Sequence, residues 1–242
     1  MKNKLVTACM LAKNCEDTML ATLKFLDDNF EDVVVVYEES SDKTVKILKE
    51  QYSHFNLQHR VLDTFAGQRN YSLSFSKTKW NLIIDADEIY SFTDFDKLVK
   101  LCESQPSLIL SFPRYNLQKN LSHYKLEGFP DSQLRLLPSN IRVDNTHTYE
   151  QAMLPINTKV LPFEKCSLIH FGHLRKKEFM QLKGQDQSRY IKEGGDDSQL
   201  LKNPTWFFDR NEKWNHQVSK LPVDIQALVD SYKNLLDVYE ME

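Results

Sequence analysis

Asp85 and Asp87 stand at positions i and i+2 of the run Asp85-Ala86-Asp87-Glu88, directly after the apolar segment 80–84. On an extended chain such a pair points to one side while Ala86 points to the other, into packing. A hard divalent cation takes oxygen ligands and accepts a mixed shell of carboxylate, phosphate and water. Held there, Mn2+ or Mg2+ could bridge to a diphosphate and neutralise charge as a phosphate leaving group departs. An isolated pair of this kind is more often a polar strand end where aspartate forms a turn. The buried strand in front of it, fourth in a repeating series, favours the metal.

That series occupies the first hundred residues. Segment 4–11 is apolar and reads as a strand, and 14–28 carries Met19, Leu20, Leu23 and Leu26 at helical spacing. Segment 32–37 holds four consecutive valines, as a strand buried on both faces does. A helix with Val45, Ile47, Leu48 and Tyr52 follows, for which Ser41 or Asp42 is a suitable N-cap. A short strand near 57–62, a helix over 66–77 and the strand 80–84 complete the alternation, which predicts an α/β fold with a mostly parallel sheet and helices on both faces. Ligands bind beyond the carboxyl ends of such strands. Three polar clusters fall there: Lys13-Asn14, Glu38 to Asp42, and Asp85 to Glu88. Glu38 could accept hydrogen bonds from a nucleobase or ribose, or be a solvated loop acid, while Asp42 reads as a cap that shapes its loop. Gln68, Arg69 and Asn70 open the third helix, where a helix N-terminus and an arginine fork favour phosphate.

Beyond Asp87 the expected elements are a helix over 95–103, a strand over 108–114, short partly antiparallel strands in a proline-containing stretch, and helices over 176–192 and 223–238. This divides the chain into a first half (1–104), a second half of the same domain (105–192) and a C-terminal helical extension (193–242).

Residues 5–90 resemble the nucleotide-binding half of family 2 glycosyltransferases, of the GT-A fold, and most of all the small lipopolysaccharide-core and peptide-glycosylating members. The matches are Lys13-Asn14-Cys15-Glu16, then Ser40, Asp42 and Thr44, then Gln68-Arg69-Asn70, then Trp80 to Glu88. More loosely, Gln133-Leu134-Arg135-Leu136-Leu137 resembles the family's Q-x-R-L-F, Glu150-Gln151 its H-E-Q, and His170-Phe171-Gly172 its H-Y-G. Tyr37 departs from the family, which has a nucleotide-contacting aspartate there, and Tyr149 stands at the histidine of H-E-Q, with His147 nearby.

The resemblance implies a metal-dependent, inverting transfer of a sugar from a nucleoside-diphosphate sugar, a UDP-sugar foremost, to a hydroxyl acceptor. It implies that Asn14 touches the nucleotide, although capping a helix would explain Asn14 as well. It places His170 near the metal or the diphosphate, where a structural histidine is the plainer reading. Some of Arg175, Lys176, Lys177, Lys183, Arg189 and Lys192 would cover the diphosphate. A general base must come from the acceptor side, where Asp131 and Glu150 are both candidates. The acceptor is expected to be a saccharide, ahead of a protein side chain and of modified phage DNA.

Composition limits the rest. The chain has 242 residues, 41% hydrophobic and 27% charged, with a net charge of −3, so no global basic field favours a polyanion. Cys9, Cys15, Cys102 and Cys166 show no zinc-like spacing, which fits a reduced, cytoplasmic setting. The N-terminal residues do not read as a secretory signal and no run is long enough to span a membrane, so a soluble chain with room for peripheral membrane contact is expected. A nucleotidyltransferase would ordinarily carry a glycine-rich loop after the first strand, yet no glycine precedes Gly67. A non-catalytic nucleotide-binding module is the other rival, for which the Tyr37 departure leaves room.

Overall fold

The structure is a computed structural model that describes residues 2–61, 63–92, 95–104, 108–144, 151–152, 159–162, 166–176, 179–180 and 217–238. Elements run in the order β1 (Asn3–Ala12), α1 (Met19–Asn29), β2 (Phe30–Tyr37), α2 (Thr44–Gln51), β3 (Asn56–His59), α3 (Phe65–Ser74), β4 (Trp80–Asp85), β5 (Glu88–Phe92) and α4 (Phe95–Ser104). Next come β6 (Leu108–Phe112), β7 (Arg114–Asn116), β8 (His123–Lys125), β9 (Gln133–Pro138), β10 (Val143–Asp144), β11 (Gln151–Ala152), β12 (Lys159–Pro162), β13 (Cys166–His170), β14 (Val218–Lys220) and α5 (Val223–Tyr232).

Seven strands form the main sheet in the order β12-β6-β9-β4-β1-β2-β3. Only β9 runs against its neighbours; β1 is parallel to both β2 and β4. The alternation along the strands explains the burial. Val33, Val35 and Tyr37 enter one apolar cluster with Ala8 and Met10, while Val34 and Val36 enter another with Cys9, Ala66 and Leu73. Each fully buried valine contributes about 1.5–3 kcal/mol. The strand order reverses beside β1, which leaves a crevice beyond the carboxyl ends of β1 and β4. A smaller sheet, β5-β13-β7, begins just beyond the two residues that follow β4.

Several local expectations are corrected. The first helix begins at Met19 rather than 14, because Asn14 adopts a positive φ of 46° that a helix excludes. The second has Lys43 at its N-cap, with no side-chain cap bond, and Asp42 instead accepts the amides of Glu16 and Thr44. The third starts at Phe65, capped by the Thr64 hydroxyl on the Gly67 amide, so Gln68, Arg69 and Asn70 do not open it. The strand expected over 108–114 divides at Pro113, which lacks the N–H a ladder needs. At the C-terminus α5 ends at Tyr232 and continues only as a 3-10 turn, Lys233–Leu235. The helix expected over 176–192 lies outside the described residues apart from Lys176, which is not helical, and the helical pair 179–180. Cys9, Cys15 and Cys166 are buried thiols, those of Cys9 and Cys15 pushed up to about 12 by burial. Among the described residues no helix is long and apolar enough to cross a membrane.

Candidate active site

Asp85 is the last residue of β4, but Asp87 does not continue that strand. Ala86 and Asp87 form a turn and Glu88 opens β5. The relation of the two aspartates is therefore set by a turn of the chain between two sheets, not by the pleat of one strand. Asp85 Oδ1 accepts Arg69 Nη2 at 2.6 Å, and Asp85 Oδ2 accepts Arg135 Nη2 at 2.8 Å. Burial opposes its ionisation, but the guanidinium groups of Arg135 and Arg69 prevail and hold the carboxyl well below the usual range. The same Arg135 nitrogen reaches Glu88 Oε1 at 2.7 Å. Glu88 is fully buried, and burial raises its carboxyl against the pull of Arg135.

Asp87 meets His170, the last residue of β13. His170 Nε2 lies 3.6 Å from Asp87 Oδ2, and the Asp87 carbonyl accepts the Phe171 amide at 2.8 Å. Gly172 closes over this pair. A Cβ on Gly172 would lie 2.3 Å from His170 Nε2 and 2.8 Å from Asp87 Oδ2. A side chain at this position would therefore have to displace the ends of His170 and Asp87. Gly172→Ala is expected to displace the His170 ring and the Asp87 carboxylate with little loss of fold, as the imidazole resonances of His170 beside a denaturation curve would show.

From His170 a continuous polar network runs to Asp131. His170 Nδ1 lies 2.8 Å from Asn116 Oδ1, and Asn116 Nδ2 donates to Asp131 Oδ2 at 2.7 Å. Arg114 adds its Nε and Nη2 to that same oxygen, at 2.9 and 2.6 Å, and its Nη1 lies 3.7 Å from Glu88 Oε1. Asp131 Oδ1 accepts Gln133 Nε2 at 3.0 Å. Asp85, Arg69, Asp87, His170 and Asp131 therefore share one network with Glu88, Arg114, Asn116 and Arg135.

The remaining expected residues lie around it. Asn14, at the end of β1, accepts the Ser41 amide through Oδ1 at 2.8 Å, and its carbonyl accepts Arg175 Nη2 at 2.6 Å. Arg175 also grips the buried Asp17 through Nε and Nη2, at 2.7 and 2.8 Å. Burial raises the Asp17 carboxyl, while Arg175 pulls the other way. Glu38 follows β2 and pairs with Lys13 at 3.0 Å. Tyr37 is buried, its ring 5.4 Å from that of His59 and covered by Lys49 Nζ. Gln68 and Asn70 turn away from Asp85: Gln68 Nε2 donates to the Arg60 carbonyl, and Asn70 exchanges two hydrogen bonds with the Val143 backbone. Glu150, His147, Tyr149, Lys177, Lys183, Arg189 and Lys192 lie outside the described residues.

Sequence reasoning assigned no role to Glu88, Arg114, Asn116 or Asp17. Glu88 and Arg135 stood inside matched motifs, the alternation of Arg114 and Asn116 about Tyr115 was the one signal for those two, and Asp17 carried none.

The model of the family described as glycosyl transferase family 2 matches residues 7–171. The chain belongs to that family. Its main sheet, with β1 at the switch point, is the GT-A arrangement that family 2 resemblance implied. Glycosyltransferase SunS, from Bacillus phage SPbeta and as a prophage-derived protein of Bacillus subtilis (strain 168), is 25% identical over 97 residues. That alignment covers 40% of this chain and 23% of SunS, so the chain spans under a quarter of those relatives. S. aureus TarS aligns at 13% identity and a TM-score of 0.47, over 96% of this chain and 53% of TarS. Glucosyl-3-phosphoglycerate synthase from Mycobacterium tuberculosis, crystallised with Mn2+ and UDP, aligns at 16% identity and a TM-score of 0.31, over 36% of this chain and 35% of that one.

Proposed function

We propose that this chain transfers a sugar, with inversion, from a nucleoside-diphosphate sugar to a hydroxyl acceptor, and that Asp87 and His170 help hold a divalent metal ion. The observation that carries the reading is their convergence at the switch point under Gly172, in a space too close for a Cβ. Among the described residues no three His, Cys, Asp or Glu side chains gather closely enough to hold an ion by themselves. A carboxylate oxygen and an imidazole nitrogen completed by diphosphate and water suit Mn2+ or Mg2+. Asp85 keeps lone pairs on both oxygens while its arginines fix it, so it can add an oxygen to the ion or accept a ribose hydroxyl. When bound, the ion stabilises negative charge on the departing diphosphate.

The donor is read as a UDP-sugar from the family likeness. Lys13-Glu38 and Asn14, beyond β1 and β2, line the nucleotide end. On the acceptor side Asp131 Oδ2 already takes three N–H donors, so Oδ1 is the oxygen that receives a proton. The acceptor oxygen attacks the anomeric carbon from the face opposite the diphosphate. Its proton passes to Asp131 Oδ1, and the bond to the β-phosphate oxygen breaks, its electron pair leaving with the nucleotide. A saccharide is the acceptor class proposed, ahead of protein and of modified DNA.

The test is proton NMR of UDP-sugar turnover against a saccharide panel. The expected product has the anomeric configuration opposite to the donor's, and Asp131→Asn is expected to turn over about a hundredfold more slowly or worse. Retained configuration would overturn the single displacement. Full activity in Asp131→Asn would move the base to Glu150.

A further inference from the structure

Asn116 belongs to none of the matched motifs, yet it joins the two halves of the site. We propose that Asn116 is a positioning residue that holds His170 with its Nε2 lone pair turned toward the ion and ties that ring to Asp131. This deepens the metal reading above and rests on it.

The orientation of the amide follows from what its neighbours can do. Asp131 Oδ2 already accepts two N–H groups of Arg114, so the Asn116 atom 2.7 Å from it is the NH2 group. The amide oxygen therefore faces His170 Nδ1, at 2.8 Å, and an oxygen without a proton must be met by an N–H. A neutral imidazole with its proton on Nδ1 keeps its lone pair on Nε2. Nε2 is the atom 3.6 Å from Asp87 Oδ2 and beneath Gly172. A polar partner on the far nitrogen fixes the tautomer and the ring plane of a metal-binding histidine.

The sheet sets this contact. Strands β7 and β13 are parallel, with Asn116 in register with His170, and the Leu117 amide donates to the His170 carbonyl at 3.0 Å. Arg114 and Asn116 project to one face of β7 toward Asp131, while Tyr115 turns to the other, against Tyr124 and Phe129. The acid proposed as the base and the histidine proposed as a ligand are thereby held by one amide.

The experiment is a Mn2+ titration in the presence of UDP, followed by the resonance of free Mn2+, on the wild type, Asn116→Leu and Asn116→Asp. Asn116→Leu offers His170 no acceptor and is expected to bind Mn2+ about 10–100-fold more weakly. Asn116→Asp restores an oxygen for the Nδ1 proton, so its Mn2+ affinity is expected to stay within a few-fold of wild type. It gives Asp131 no donor, so its kcat is expected to fall while that affinity holds. Unchanged affinity in Asn116→Leu, or equal losses in both variants, would overturn the role of Asn116 alone. Absence of Mn2+ uptake by the wild type would overturn the metal reading and this role with it. Should Asn116→Leu fail to fold, nitrogen NMR of the wild type decides: a proton on Nδ1 of His170 is expected, and a proton on Nε2 overturns the proposal.

Discussion

Asp87→Ala is expected to lower sugar transfer about a thousandfold while leaving the fold in place. The side chain sits in a two-residue turn, and the hydrogen bond from Phe171 that anchors this turn is made to the Asp87 backbone carbonyl, which alanine keeps. Electrostatically, Asp87 acts on the buried Asp17-Arg175 pair in both directions, repelling the carboxylate and attracting the guanidinium, and it repels Asp85. What alanine removes is an oxygen facing His170 Nε2. Metal stabilisation of a leaving group amounts to several kcal/mol, and about 4 kcal/mol corresponds to a thousandfold in rate. Turnover of a UDP-sugar over a Mn2+ series checks it. Rates within tenfold of wild type at every Mn2+ concentration would remove Asp87 from the metal site.

Arg135→Ala should instead act on stability. Arg135 Nη2 is shared by Asp85 and Glu88, and both Arg135 and Glu88 are buried. Removing one member of a buried ion network leaves charge uncompensated, at a cost of about 3–5 kcal/mol. The cavity left by the guanidinium adds to it, and Arg114, 3.7 Å from Glu88, offsets a part. The pH dependence has a definite sign. Burial raises the Glu88 carboxyl and Arg135 opposes that, so the variant holds the Glu88 proton to higher pH. A carboxyl with a raised folded pKa stabilises fully below its unfolded pKa, about 4.3, and that contribution is lost as pH rises through the folded value. The deficit of Arg135→Ala is therefore expected to be smallest in acid and to grow toward neutral pH. Urea denaturation between pH 4 and 8 measures it. A deficit below about 1 kcal/mol at neutral pH, or one that shrinks as pH rises, would contradict this account of the network.

Much of the fold was legible because burial on both faces leaves a mark that local reading detects. The valines of β2 and the apolar run of β4 announce central strands, and the polar residues just after them announce a ligand-binding edge. Helix starts were less legible. Thr64, two residues before the first helical turn the sequence suggested, holds the Gly67 amide, and that cap moved Gln68, Arg69 and Asn70 into the second turn. Only Arg69 of the three reaches the site.

The site itself was half legible. Asp85 and Asp87 were visible as a pair, but the turn at Ala86-Asp87 was not, since no glycine or proline marks it. The partners of these acids come from β7, β9 and β13, far along the chain. Nothing local at Arg135 or Asn116 shows which carboxylate or imidazole the sheet register will set beside it. Tyr37 was legible as a departure. The structure buries that ring and sets two acids directly beyond β2, Glu38 paired with Lys13 and Glu39 beside His59.

The most direct test of the central claim is the thermal stability of the wild type and of Asp87→Ala with a panel of nucleoside diphosphates, with and without Mn2+. A ligand that binds only the folded state raises Tm by mass action. The account predicts that UDP with Mn2+ raises the Tm of the wild type, that UDP alone does so less, and that Asp87→Ala loses the Mn2+-dependent part. No shift with any nucleoside diphosphate, with or without Mn2+, in a protein that is otherwise folded would contradict it.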